Sequence, residues 1–426
     1  MNLKAFKQAG HWPTLLSAFL YFDVSFMVWV MLGPLSLYIT KELGLPVEEK
    51  FTIVAIPILC GAFLRIPLGM LADHFGPKKT GILAQITVII GMAYVFIFGL
   101  HSKLELQALG LVLGLAGASF AVALPQASRW YPPQYQGVVM GIAGAGNMGV
   151  VLDSMIVPTL AENFGWQAVF GFLLIPLVLV LLLYSFMVKD APEKRTPVTL
   201  RNYAELLKDT DSWWFMFFYS ITLGGFVGLG NALPLYFTNW YHVSGVAAGL
   251  MVAMVVFAGS MFRPVGGMMA DRIGGVRFLQ MLFIVVSVCY ATIALMPEGP
   301  APEASQMAVA KVAGWSLLTM PSIAWASTAI FFFGTMALGM GNGAVFQLVP
   351  LRFRGEIGVM TGLVGAAGGV GGFFLAKTLG VSWADYHSFG PGFSLFAVLP
   401  LLGLFGLLIV KRRWRTTWGA VSGARV

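Results

Sequence analysis

Charge is scarce in this sequence. Of its 426 residues only 10% are Asp, Glu, Lys or Arg, 58% are hydrophobic and the mean hydropathy is +0.82. A soluble globular protein carries about 25% charged residues, so a polar shell around one core is excluded. Cysteine is almost as scarce: Cys60 and Cys289 lie in apolar runs in different halves of the chain. They cannot build a disulfide framework or a Cys/His metal cluster and read as small buried apolar residues. The five histidines show no HExxH or HxxxH spacing, and no GxxxxGK[ST] loop is present. Direct ATP hydrolysis by this chain is therefore not expected. With no activated nucleophile and no metal set, neither an enzyme nor a cofactor is expected. The first apolar run is too long for a cleavable signal and lacks a small-residue cleavage site.

What the sequence has is length of apolar run. Stretches of about 18 or more apolar residues recur along the chain, each long enough to cross a hydrocarbon core of about 30 Å. Twelve helices are expected, at 13–40, 51–72, 80–100, 105–127, 137–161, 166–187, 213–240, 246–271, 277–296, 320–348, 356–379 and 391–411. The fold class is an all-α membrane protein. The net charge of +8 is a topology signal and not a nucleic-acid footprint. With both termini cytoplasmic, most Lys and Arg fall in cytoplasmic segments, as inner loops prefer. The chain is expected in the cytoplasmic membrane as a monomer, its partners the lipid bilayer and a small solute.

Two arginines belong to neither side. Residues 65–76 read RIPLGMLADHFG and residues 263–275 read RPVGGMMADRIGG. Each arginine is followed by Asp at +8 (Asp73, Asp271) and Gly at +11 (Gly76, Gly274). A weaker repeat pairs GASFAVALP (117–125) with GNGAVFQLVP (341–350), each preceding a basic loop and a glycine-rich helix. An internal repeat of this kind marks a two-bundle transporter with its site between the halves. The expected division is 1–187, a cytoplasmic linker at 188–212, a second bundle at 213–411, and a cytoplasmic tail at 412–426.

GMLADHFGPKK resembles the loop signature of the major facilitator superfamily, with Gly69, Asp73, Gly76, Lys78 and Lys79 in place. The second copy is partial. FDVSFMVWVMLGPL in the first run, the two arginine sites and GAGNMG in the fifth resemble the nitrate/nitrite porter family more specifically. The resemblance covers essentially the whole chain and implies twelve helices in two pseudo-symmetric six-helix bundles.

The chemistry starts at Arg65. Eight residues at about 1.5 Å each put it about 12 Å deeper than Asp73, close to the midplane. Arg263 reaches the same depth by the same count. A central arginine costs at least about 2.5–3.5 kcal/mol. A buried ion pair is one explanation, with Asp23 and Asp153 as the deep acids. It explains two symmetric arginines poorly. Two guanidinium groups facing each other repel unless an anion lies between them, and a planar oxyanion suits their planar donors. An empty site is expected to resist closure.

Gly141, Gly144, Gly146 and Gly149 surround Asn147, whose amide offers donors and an acceptor. Glycines also pack helices closely. The resemblance implies that Asn147 and Gly144 approach the substrate and that Phe120 packs on its plane. In the eleventh run Gly365, Gly368 and Gly369 match the partner motif without an Asn, which favours packing over ligation. The seventh run departs from the porters: Leu229 and Leu233 occupy the expected aromatic positions, leaving Asn231 or Tyr236 as polar contacts. Asn342 and Gln347 are further polar candidates. Asp73 with Lys78 and Lys79, echoed by Asp271, is expected to act as a gate. Proton coupling falls on Asp23 or Asp153. The expected function is transport of nitrate or nitrite by exchange or proton-coupled uptake. Carriage of a carboxylate or organic phosphate is the alternative, and a sensor has too little chain outside the membrane.

Overall fold

The computed structural model describes residues 6, 8–132, 139, 142–144, 146–190, 199–300, 321–353 and 356–419. They contain sixteen helices: α1 (Trp12–Val30), α2 (Leu32–Glu42), α3 (Val47–Phe75), α4 (Pro77–Phe98), α5 (Lys103–Gly117), α6 (Phe120–Ser128), α7 (Gly149–Phe164), α8 (Trp166–Met187), α9 (Leu200–Leu206), α10 (Thr210–Trp240), α11 (Gly245–Met261), α12 (Arg263–Ile273), α13 (Gly275–Ala294), α14 (Ser322–Arg352), α15 (Ile357–Tyr386) and α16 (Gly390–Thr416). Among the described residues, eleven helical spans are long and apolar enough to cross a membrane. The remaining crossing is represented by a helical turn at 142–144 and by α7. Twelve crossings return the chain to its starting side, called the terminal side below.

The helices start and stop where local chemistry dictates. Ser102 and Ser244 cap α5 and α11, each hydroxyl accepting a backbone N–H at 3.2 Å from Glu105 and Ala247. Gly76 and Gly274, the repeat-related pair, turn the chain between helices with φ of 92° and 96°. Side chains rarely adopt that region, which accounts for glycine at +11 in both copies. The structure adds a short helix, α9, inside the 188–212 linker. It also starts α10 at Thr210, ahead of the expected 213, and carries α16 past 411 to Thr416.

Four crossings that read as continuous are interrupted. α1 gives way to α2 at Met31, α5 to α6 at Ala118 and Ser119, and α11 to α12 at Phe262; residues 146–148 form a turn ahead of α7. The backbone at Met31, Ala118, Ser119, Met148 and Phe262 keeps right-handed helical angles, so these interruptions are kinks and not unwound segments. Across the two halves, α3 packs along α15 and α7 along α11. Glycine permits both seams: a β-carbon at Gly369 would lie 2.6 Å from Cβ of Ala62, and one at Gly249 would lie 2.2 Å from the carbonyl oxygen of Ser154.

Candidate functional site

Arg65 is 2% exposed. Its Nε donates to the carbonyl of Gly117 at 3.3 Å, and an Nη donates to the carbonyl of Gly365. Gly117 is the last residue of α5, so the break leaves its carbonyl without a helical donor and the guanidinium supplies one. Gly365 belongs to the opposite half, so Arg65 bridges the bundles. Its guanidinium carbon lies 5.4 Å from the ring centroids of both Trp29 and Phe120. Trp29 is wedged in place: its indole N–H donates to the Pro57 carbonyl at 2.7 Å, and β-carbons at Gly61 or Gly117 would collide with its ring.

Arg263 opens α12 at the break. It is half-buried, donates to the Tyr219 hydroxyl at 3.2 Å and lies 5.8 Å from the ring centroid of Phe346. Phe120 and Phe346 meet edge to face at 6.3 Å and Tyr219 packs edge-on to Phe346 at 5.0 Å. Among the described residues neither arginine pairs with a carboxylate. The result is two cations and an apolar aromatic wall at the junction of the halves, where low dielectric strengthens attraction for an anion.

Asn147 sits in the 146–148 turn, 2% exposed, with its side-chain oxygen unpartnered. Its backbone carbonyl accepts from Ser260 at 3.5 Å, three residues before Arg263. Gly144 is buried, yet a β-carbon there would meet nothing within 4 Å, so it borders open space. Gly146 and Gly149 press on the backbone of α1. Gly141 lies outside the described residues. Gly365 and Gly369 seat α15 on α3, and Gly368 seats it on α10. Asn342, buried with both amide atoms unpartnered, lies one turn before Phe346 on α14 and so shares its face. Gln347 is displaced from that face, its carbonyl oxygen beside Gly275.

Several expected positions change. Asn231 turns back on its own helix, donating to Val227 at 2.9 Å, and packs on Gly33. The Tyr236 hydroxyl joins Tyr241 at 3.1 Å within an aromatic cluster. They lie twelve and seventeen residues beyond Tyr219 on α10, about 18 and 25 Å along its axis. Tyr219 is the α10 residue at the arginines. Asn231 and Tyr236 belong to different turns of the same run, and only register with Arg263 separates them from Tyr219. Phe346 was likewise missed. Asp23 accepts the Gly149 N–H at 2.7 Å, and Asp153 is 1% exposed with both carboxyl oxygens unpartnered.

The gate also differs. Asp73 pairs with Arg129, and not with Lys78 or Lys79. Lys79 and Asp271 are exposed, and the Lys78 backbone N–H donates to Asp190 at 3.2 Å. The Asp73–Arg129 pair ties α3 to the end of α6 within one half. The residue that touches both halves here is Tyr203 of α9: its hydroxyl would lie 3.7 Å from a β-carbon at Gly69 and 3.4 Å from one at Gly362. Burial, and then the charge of Asp73, push its phenol up to about 12.

Residues 15–376 match the family described as the Major Facilitator Superfamily. The chain belongs to it. As a major facilitator it is an integral membrane protein, with two six-helix bundles of related sequence. It is 29% identical over 395 residues to the nitrite extrusion protein of Bacillus subtilis (strain 168), covering 92% of this chain and 91% of that one. It is 32% identical over 367 residues to the probable nitrate/nitrite transporter NarK2 of Mycobacterium tuberculosis (strain CDC 1551 / Oshkosh), covering 84% and 86%. Among solved structures, a bacterial homologue of the human lysosomal transporter Spinster, in an inward-facing and occupied conformation, superposes with a TM-score of 0.68 at 15% identity, covering 93% and 96%. A D-xylose–proton symporter gives the same TM-score and identity, covering 93% and 95%. These two similarities speak to the fold alone.

Proposed function

We propose that this major facilitator carries nitrate and nitrite across the cytoplasmic membrane by alternating access. It works as a monomer, with both termini cytoplasmic, bundles at 1–187 and 213–411, a linker at 188–212 and a tail from 412. The observation that carries the reading is the pair Arg65 and Arg263, one from each half, walled by Phe120 and Phe346 and without a carboxylate partner among the described residues. The names of its relatives, a nitrite extrusion protein and a probable nitrate/nitrite transporter, agree with it. A small planar oxyanion takes bidentate donors from arginine, and Tyr219, Asn147 and Asn342 add polar contacts. The anion competes with the Gly365 carbonyl for Arg65, so binding exchanges one cross-bundle contact for another. This modifies the expectation that only an anion lets the halves close. Nothing in this scheme makes or breaks a covalent bond, and the protein acts as a carrier and not as an enzyme.

Nitrate/nitrite exchange needs no titrating group. Asp153 favours a second mode, proton-coupled uptake: an ionised carboxylate without a donor is costly in the membrane, and one that gains and loses a proton as the halves move relieves that cost. Purified protein in vesicles decides. Labelled nitrate should enter vesicles loaded with nitrite, or enter under an inward proton gradient, and excess formate, acetate or glycerol phosphate should not compete. Uptake in neither condition, or inhibition by the organic anions at nitrate-like concentrations, overturns the reading.

A further inference from the structure

We propose that Asp23 is a positioning residue for Asn147, acting by capping the interrupted helix on which that amide sits; the proposal rests on the anion reading of the Asn147 site. α7 begins at Gly149, directly after the 146–148 turn, and of its first N–H groups that of Val151 donates back to the Met148 carbonyl at 2.9 Å. The preceding residue, Met148, supplies no side-chain cap. Asp23 does so from another helix: its Oδ1 accepts the Gly149 N–H at 2.7 Å, 126 residues away in sequence. The two segments are also in backbone contact. A β-carbon at Gly149 would lie 2.5 Å from the Asp23 carbonyl oxygen, and one at Gly146 would lie 3.0 Å from the Asp23 nitrogen.

The turn is therefore fixed at both glycines that flank Asn147, with the carboxylate holding the first N–H of the helix that follows. On its other side the Asn147 carbonyl accepts from Ser260 at 3.5 Å, on the strip that leads to Arg263. Asn147 has a buried unpartnered side-chain oxygen, so its aim is not set by its own hydrogen bonds. It is set by the backbone that carries it, and Asp23 holds that backbone. The role needs an acceptor oxygen at position 23. It does not need a proton.

That distinction sets the test. Asp23→Asn keeps an acceptor oxygen and removes titration; Asp23→Ala removes both. Amide hydrogen exchange over 146–152 reports the cap without reference to any anion. Asp23→Ala should speed exchange there on the order of tenfold, about 1.4 kcal/mol, and Asp23→Asn should leave it near wild type. Nitrate titration of the same purified variants reports the positioning. Asp23→Ala should weaken binding by about the factor seen for Asn147→Ala, Asp23→Asn by less than about threefold, and the double variant Asp23→Ala/Asn147→Ala should be no weaker than Asn147→Ala alone, since the two act in one unit. Multiplying effects, or an Asp23→Asn variant as damaged as Asp23→Ala, overturns the proposal. Loss of acid-driven uptake in Asp23→Asn with binding and exchange intact also overturns it, since Asp23 then carries a proton. Failure of wild-type protein to bind nitrate overturns the anion reading instead, while the exchange data still decide whether Asp23 is the cap.

Discussion

At the scale of single residues, the site is set by which partner each arginine has. Arg263 donates to Tyr219, whose own proton is free to turn toward an anion. Tyr219→Phe should weaken nitrate binding by about 1.5–3 kcal/mol, the range for hydrogen bonds involving charged groups, with little change in melting temperature; equal loss of stability and binding would show a packing role. Arg65 depends on Trp29, and Trp29→Phe keeps a π face while releasing the Pro57 carbonyl. That change should cost about 1 kcal/mol of stability, read by thermal melting in detergent. The arginines were legible from sequence because the repeat puts both eight residues from an acid that belongs at the membrane surface. Tyr219 was not legible: nothing local distinguishes it from Tyr236, and the choice depends on which turn of α10 lies within reach of the Arg263 side chain. Asp23, with Asp153, is a candidate for proton coupling because a lone acid in an apolar run is conspicuous; its hydrogen bond from the Gly149 N–H has no sequence signature.

At the scale of elements, the interrupted helices position the chemistry. Phe120 and Arg263 are first residues of α6 and α12, and Asn147 lies in the turn ahead of α7. Apolar periodicity shows a crossing and not an interruption, so these breaks were invisible in the sequence. Close glycine contacts hold them. A β-carbon at Gly343 would lie 2.3 Å from the Arg263 carbonyl oxygen and 2.6 Å from the Gly267 nitrogen. Gly343→Ala should therefore displace α12 and lower nitrate affinity by a larger factor than it lowers stability, measured by titration and thermal melting together. The start of α1 gives a pH prediction. The neutral His11 ring accepts the Thr14 N–H at 3.2 Å, and burial, with the charge of Lys189 second, lowers its imidazole below 6.5. A lowered value means that protonation favours the unfolded chain. The cap's stabilisation is thus present above about pH 6.5 and is lost as pH falls through the folded value. Melting temperature should drop between pH 7.5 and 5.5 by more in wild type than in His11→Asn, which caps without titrating; parallel drops would exclude His11.

At the scale of the whole molecule, the halves meet along α3 and α15. Beyond Arg65 on the side away from the termini the seam is closed: Lys377 donates to Thr52 at 2.8 Å and Phe51 packs on Phe389 at 5.6 Å. Alternating access requires this seam to part. A β-carbon at Gly372 would lie 3.2 Å from Cγ2 of Ile58, within reach of a disulfide. Ile58→Cys/Gly372→Cys, with Cys60 and Cys289 replaced by Ala, should stop nitrate flux on oxidation and recover on reduction; undiminished flux in fully cross-linked protein would exclude a moving seam. The two-bundle plan was legible from the 198-residue offset between Arg65 and Arg263, while contact by the linker through Tyr203 was not, since a short amphipathic turn among polar residues gives no sign of what it covers. The central claim is that both halves hold one planar anion through guanidinium geometry. The most direct measurement is nitrate titration of purified Arg65→Lys and Arg263→Lys, each confirmed as folded by size exclusion and melting. Charge is kept and the fork is lost. The account predicts at least about a tenfold loss of affinity in each variant, that is about 1.4 kcal/mol or more, and near-wild-type affinity in either would contradict it.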